Sequence, residues 1–367
     1  MPLFWLLPAG EKCYFQAFSE VKMKAEQKQP KADDSRAKAD LQAKFLARAG
    51  WTGASVTQIK QDASVRHFYR VTKDGKTAVL MEACPPLEDT GAFELMREKL
   101  NRIGLTVPEI YHSDHAAGLV LMEDFGDERL FELVSGKKAD IDKIYRLATD
   151  VLVHKFKADP AVALDQSVAY SDEYWLFRVE QFLLHYMPQV VGRTATTGER
   201  EDFLGLYRQA IEAAHDLPDV LLHGDYGAQN LYHLSSRPGV KALGLIDFQD
   251  MTDARGNMMG SPAFDLVFLL QDVRVDLPES LEKNMREHFL KQAGIANRAA
   301  FDLEYATIGA AQATKCLGLF ARLGHVNGRK EYLPFIPYCF RNLQRNLSHP
   351  AMAGIRNWFG KNKIDLS

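Results

Sequence analysis

The chain has 367 residues, 46% of them hydrophobic, and a formal net charge of −3. That length supplies one large domain or two lobes with separate cores. The near-balanced charge excludes a global basic field for nucleic acid or acidic membranes, and the four scattered cysteines (Cys13, Cys84, Cys316, Cys339) form no C-x-x-C pair and suggest neither a zinc site nor a disulfide framework.

Residues 1–36 read as an N-terminal extension and linker. Met1–Pro8 is apolar but short and lacks a basic flank, so it makes a poor signal peptide. No stretch approaches the roughly 20 apolar residues of a membrane span, and a cytoplasmic protein without a membrane partner is expected. Residues 23–40 carry one large apolar side chain, Met23, and read as a linker or frayed helix.

The folded part is expected from about Ala37, with Leu41 and Phe45 on one helical face and Gly50 as its stop. Three strand-like runs follow, Ala54–Ile59, Val65–Val71 and Thr77–Ala83. The last two flank Asp74-Gly75, a hairpin signal. Phe93, Met96, Leu100 and Ile103 then recur at helical spacing up to Gly104. Gly118–Glu123 reads as another strand. Residues 37–125 are therefore a small antiparallel β-lobe with a packed helix.

Residues 126–367 read as a larger, mainly helical lobe. Helical periodicity covers Asp140–Phe156, Ser171–Tyr186, Gly198–His215, Ser261–Asp272, Glu279–Gln292, Phe301–Leu323 and Tyr332–Leu347. Short strand-like runs at Val220–Leu222 and Lys241–Ile246 interrupt it. The fold class is α+β, with a cleft and a hinge near Glu123–Gly126 expected between the lobes. The polar, glycine-containing segment Met251–Pro262 reads as a mobile loop, and His112-Ser113-Asp114-His115 as a surface turn rather than a metal site.

The chemistry concentrates at Leu221–Asn230, which has the form H-x-D-x-x-x-x-N, and at Leu245-Ile246-Asp247-Phe248. Phosphoryl transfer needs a positioned hydroxyl and neutralised phosphates. Asp225 is the candidate catalytic base, Asn230 and Asp247 are candidate hard-oxygen ligands for Mg²⁺, and His223 is expected to hold the loop rather than to move a proton. Asp265 is expected to brace loop backbone. Tyr226 is the first candidate for touching the acceptor. Tyr174, Trp175 and Arg178 are further acceptor candidates, because they mix aromatic faces with hydrogen-bonding groups.

His223-Gly224-Asp225-Tyr226-Gly227-Ala228-Gln229-Asn230 and Leu245-Ile246-Asp247-Phe248-Gln249-Asp250 resemble the catalytic and metal motifs of the aminoglycoside-phosphotransferase-like, or choline-kinase-like, small-molecule kinases. Gly224 stands where protein kinases usually have Arg, which points to the small-molecule branch. A narrower resemblance rests on Ser64-Val65-Arg66-His67-Phe68-Tyr69-Arg70, Val79–Pro86, Leu121–Asp127 and Ile246–Asp250. These are similar to bacterial cell-wall amino-sugar kinases, which phosphorylate N-acetylmuramate and N-acetylglucosamine at the anomeric hydroxyl in peptidoglycan recycling. The resemblance implies a bilobal protein-kinase-like fold, ATP and Mg²⁺, a small-molecule acceptor and a cytosolic location. It also implies adenine contacts from the backbone of Glu123, Asp124 and Phe125. Other acceptors of the class (an aminoglycoside, choline, homoserine or a fructosamine) stay open, as does a nucleotide-binding pseudokinase.

One departure stands out. Where a kinase strand carries a phosphate-binding Lys, this chain has Met81. Arg66 and Arg70, four apart and so on one face of a strand, are the candidate replacements. Ser64 and its small neighbours would cover the phosphates with backbone N–H groups.

Overall fold

The computed structural model describes residues 32–59, 66–83, 90–137, 139–158, 167–169, 172–248, 252–253 and 256–366. Ser64, Cys13, Cys84 and the pair Gln249-Asp250 lie outside these residues. Two compact units are distinguished, one reaching Asn101 and including Val107–Asp127, the other formed by Arg102–Thr106 and Glu128–Ser367.

The first unit begins with helix α1 (Ala32–Arg48), which starts earlier than the expected boundary near Ala37. Strands β1 (Ser55–Gln58), β2 (His67–Lys73) and β3 (Lys76–Glu82) follow. The β2–β3 turn places Asp74 and Gly75 at φ 49° and 75°, the left-handed pair that matches a tight hairpin to strand twist. Helix α2 (Thr90–Arg102) buries Phe93, Met96 and Leu100. Strands β4 (Ile110–Asp114) and β5 (Leu119–Glu123) complete an antiparallel sheet of order β1-β2-β3-β5-β4. The supposed surface turn at His112–Asp114 is thus an edge strand. Its polar composition hid a pairing supplied by β5. Phe45 and Leu46 of α1 pack on Val71, Ala78, Leu80, Leu119 and Leu121 to make this unit's core.

The second unit holds helices α3 (Leu130–Ser135) and α4 (Ile141–Lys157), strand β6 (Ser167–Ala169), and helices α5 (Asp172–Gln181) and α6 (Thr197–Glu212). Asp140 caps α4 by accepting from the N–H of Asp142 and Lys143. A capping box between Thr196 and Glu199 starts α6. The helix expected to end at Tyr186 instead widens after Gln181 into a π-helical segment, Phe182–Val191, that contains Pro188. Strands β7 (Val220–Leu221), β8 (Leu231–His233), β9 (Leu243–Leu245), β10 (Thr252–Asp253) and β11 (Gly256–Gly260) come next. Helices α7 (Ala263–Leu270), α8 (Glu279–Ala293), α9 (Arg298–Ala321), α10 (Ile336–Leu347) and α11 (Ala353–Lys361) close the chain. Helix α9 is buried on nearly every side, as an apolar-all-round helix must be.

The expected loop Met251–Pro262 is corrected by β10 and β11. The latter pairs in parallel with β6 and antiparallel with β7. Its partners lie far away in sequence, so neither alternation nor composition announced them. Among the described residues no helix is long and apolar enough to cross a membrane.

Candidate active site

The catalytic motif occupies the turn between β7 and β8. β8 pairs with β9 so that Leu231 faces Leu245. One step further the Ile246 N–H donates to the Asn230 carbonyl at 3.0 Å. This ladder sets Asp247, which leaves β9, beside Asn230. Asp247 is half-buried and has φ 61°. A non-glycine residue in the left-handed region is uncommon and such strain clusters at functional sites.

Asp225 is exposed. The Asn230 side-chain amide donates to the Asp225 carbonyl and to its Oδ2, both at 2.9 Å. Both amide hydrogens are thereby spent. The Oδ1 of Asn230 remains as an acceptor with no hydrogen bond among the described residues. Oδ1 of Asn230 and the Asp247 carboxylate are hard oxygens from adjacent chain segments, a donor set that suits a phosphate-bound Mg²⁺.

The loop is held from beneath. Gly224 has φ 85°, which only glycine adopts without strain. Its N–H donates to Asp265 Oδ1 at 3.0 Å, and the His223 N–H donates to Asp265 Oδ2 at 2.9 Å. Lys155, from α4, forms an ion pair with the same carboxylate, and both side chains are buried. Burial alone would raise the Asp265 pKa, but the Lys155 ammonium and the His223 N–H donor hold it below the usual carboxylate value. His223 is buried, and its Nδ1 accepts the Asp225 N–H at 3.3 Å. Burial lowers its pKa, so the ring is neutral. Asp272, after α7, braces the other end of the loop: its Oδ2 accepts the Ala228 N–H at 3.3 Å. Burial raises its pKa, and nearby Asp225 adds to that.

Tyr226 corrects the sequence expectation. It is fully buried, its hydroxyl donates to the Ala148 carbonyl at 3.0 Å, and its ring meets His223 edge-on. It packs the loop and presents nothing to an acceptor. Trp175 is also buried, against Phe264. It lines a small pocket of about 70 Å³ together with Met259, Ser261, Phe264 and Thr307. Tyr174 and Arg178 are only half-buried, and the Arg178 guanidinium lies 5.5 Å from the Tyr174 ring centre.

In the first unit, Met81 is buried and opposite Phe68. Arg70 faces Val79 across the ladder, so it shares a side of the sheet with Met81. Its guanidinium is engaged by Asp124 at 2.7 Å, Asp127 at 2.8 Å and the Gly126 carbonyl at 3.2 Å. Arg66 is buried and precedes β2 instead of lying in it. Glu123 sits at the end of β5, where its N–H donates to the Glu109 carbonyl at 2.8 Å, and its Oε2 accepts the Glu109 N–H. Phe125 lies between Asp124 and Gly126 in the irregular stretch after β5.

Lys155, Asp272, Arg274 and Lys315 were not singled out from sequence. A lysine inside the amphipathic pattern of α4 was the only local signal for Lys155. Asp272 and Arg274 hold each other locally, and Asp272 meets the distant Ala228 N–H.

A model of a phosphotransferase enzyme family matches residues 55–303. An N-acetylmuramate/N-acetylglucosamine kinase of Caulobacter vibrioides is 27% identical over 354 residues, 87% of this chain and 95% of its own length. A protein of the same name from Pseudomonas aeruginosa is 30% identical over 312 residues, 82% of this chain and 86% of its own. Among solved structures, a choline/ethanolamine kinase family protein of Mesorhizobium loti superposes with a TM-score of 0.58 at 14% identity, covering 88% of this chain and 98% of that one. That last likeness shows the fold alone.

Proposed function

The chain belongs to this phosphotransferase family and is a small-molecule kinase, and from that premise we propose that it transfers the γ-phosphoryl group of ATP to the anomeric hydroxyl of a cell-wall amino sugar, N-acetylmuramate or N-acetylglucosamine. A cytoplasmic role in peptidoglycan recycling is part of the proposal. The observation that carries the site assignment is the hydrogen-bonded pair of Asp225 and Asn230 beside Asp247. The amino-sugar acceptor is supported by the names of relatives that match most of the chain.

In this reading Asp225 accepts a hydrogen bond from the sugar hydroxyl and aims its oxygen in line with the phosphoryl group. Asn230 fixes Asp225 through one amide hydrogen to the carboxylate and one to the main-chain carbonyl, and its Oδ1 would be left to hold the metal. Mg²⁺, when held by Asn230 and Asp247, supplies charge neutralisation of the phosphates. Asp265, kept ionised by Lys155, prevents the His223-Gly224 turn from shifting, which matters because an error of about 1 Å in placement costs about a hundredfold in rate. The phosphate cation is assigned to Arg66 or Arg70, and Arg70 would have to exchange its two carboxylate partners for phosphate. Glu123, Asp124 and Phe125 are assigned the adenine edge, and Ser64 the phosphate cover.

ADP release measured over a panel of amino sugars, amino alcohols and aminoglycosides tests the proposal. Turnover of the two named sugars is expected, with phosphorus NMR placing the phosphate on the anomeric carbon. A product phosphorylated at another position, or turnover confined to amino alcohols or aminoglycosides, would overturn it.

A further inference from the structure

Three cations from three separate elements gather next to the catalytic base. Arg178, on α5, donates to Gln312 Oε1 of α9 at 3.1 Å. Its guanidinium lies over the rings of Tyr174 (5.5 Å), Trp175 (5.4 Å) and Phe268 (5.9 Å). This stacking holds the planar group at a fixed tilt. Lys315 is three residues beyond Gln312 and on the same helical face. It makes no hydrogen bond or ion pair among the described residues. Arg274 is anchored at Asp272: its N–H donates to Oδ1 at 3.0 Å and its guanidinium stands 3.9 Å from the same atom. Asp272 in turn holds the Ala228 N–H, three residues after Asp225.

These contacts bring the three side chains to one side of the His223–Asn230 loop. Burial, with Arg178 and Arg274 adding to it, pushes the Lys315 ammonium down to about 8, while Asp225 pulls the other way. Lys315, Arg178 and Arg274 thus converge on the side of the motif that carries Asp225 and Asp272. A desolvated lysine without a partner is costly to keep, and a carboxylate brought by a ligand would remove that cost.

We propose that Lys315, Arg178 and Arg274 form an anion subsite beside Asp225 that takes the carboxylate of an acidic sugar acceptor. This rests on the amino-sugar reading above and deepens it. N-acetylmuramate carries a carboxylate on its lactyl ether and N-acetylglucosamine carries none. The subsite makes the acidic sugar the preferred acceptor.

The test is Lys315→Met, which removes the charge and keeps the length of the side chain. No partner is orphaned, so the melting temperature is expected to hold or rise. The expected result is a fall of about tenfold to a hundredfold in kcat/KM for N-acetylmuramate, the range for a lost charged contact. Turnover of N-acetylglucosamine and KM for MgATP stay unchanged. Arg178→Gln reproduces the selective loss and Arg178→Lys restores part of it. Equal losses on both sugars would assign the cluster to the transferred phosphoryl group and overturn the proposal, as would no loss at all. If the wild-type enzyme phosphorylates neither sugar, the amino-sugar reading fails by itself. The subsite then stands only if the preferred acceptor of the panel is anionic and Lys315→Met erases that preference, and it falls if that acceptor is neutral or cationic.

Discussion

Arg70 in the sheet unit and Asp265 in the helical unit are each met by several partners, yet in opposite surroundings. The Arg70 side chain is 30% exposed and that of Asp127, one of its partners, is 84% exposed. Asp265 and Lys155 are 1% and 5% exposed. Water competes for the Asp127 arm of the first cluster, while Asp124 is 4% exposed, and it competes for no bond of the second. An exposed pair of this kind contributes about 0–1 kcal/mol. Breaking a buried pair from one side costs about 3–5 kcal/mol, because a charge is stranded. In the sheet unit the Asp127 arm of Arg70 can be exchanged for another anion, whereas the buried Lys155–Asp265 pair of the helical unit fixes the His223-Gly224 turn.

The largest effect tests whether that rigid turn is the seat of chemistry. Asp225→Asn should lower kcat for ADP formation by about 10²–10⁴-fold with an unchanged circular dichroism spectrum, since Asp225 is exposed. Near-normal turnover would move the chemistry elsewhere. Next comes stability. Lys155→Met should lower the urea-derived unfolding free energy by about 3–5 kcal/mol, and Asp127→Asn, which removes the exposed arm of the Arg70 cluster, by no more than about 1 kcal/mol. Equal losses would erase the contrast between the two units. A smaller effect concerns pH. The folded-state pKa of Lys315, about 8, lies below its ordinary 10.5, so between these values the unfolded chain holds the proton and the folded one does not. Lys315 therefore costs stability below pH 8, and the cost fades as pH rises toward 10.5. KM for an acidic acceptor should rise above pH 8 as the ammonium is lost, and Lys315→Met should flatten that rise. The smallest effect belongs to Glu199, whose carboxyl Arg193 and the Thr196 N–H hold down to about 2. Its contribution is full above about 4.5 and disappears as pH falls toward 2. In calorimetry at pH 7, Glu199→Gln should cost at most about 1 kcal/mol.

The candidate site could be assembled from sequence because its parts are contiguous: His223, Asp225 and Asn230 stand within one loop, and Asp247 follows a strand whose apolar run is visible. The long helices were legible for the same local reason. The supports were not. Lys155 and Asp265 are 110 residues apart, and nothing near either of them signals the other. Strand β11 owes its existence to β6 and β7, and edge strand β4 to β5. Tyr226 was misread because proximity in sequence to a base does not fix direction: its ring points inward to the Ala148 carbonyl. Arg70 was read as available, although Asp124 and Asp127 meet it across 54 and 57 positions of chain.

The left-handed backbone at Asp247 sets a limit on engineering. Glycine would occupy that conformation with about 1 kcal/mol less strain, and its greater freedom in the unfolded chain offsets about 0.5–1 kcal/mol of that, so strain alone gives little stability reason to keep the carboxylate assigned to the metal. A selection for heat resistance alone would thus not guard this position. Any thermostabilising campaign on this fold has to score turnover and melting temperature on the same clones.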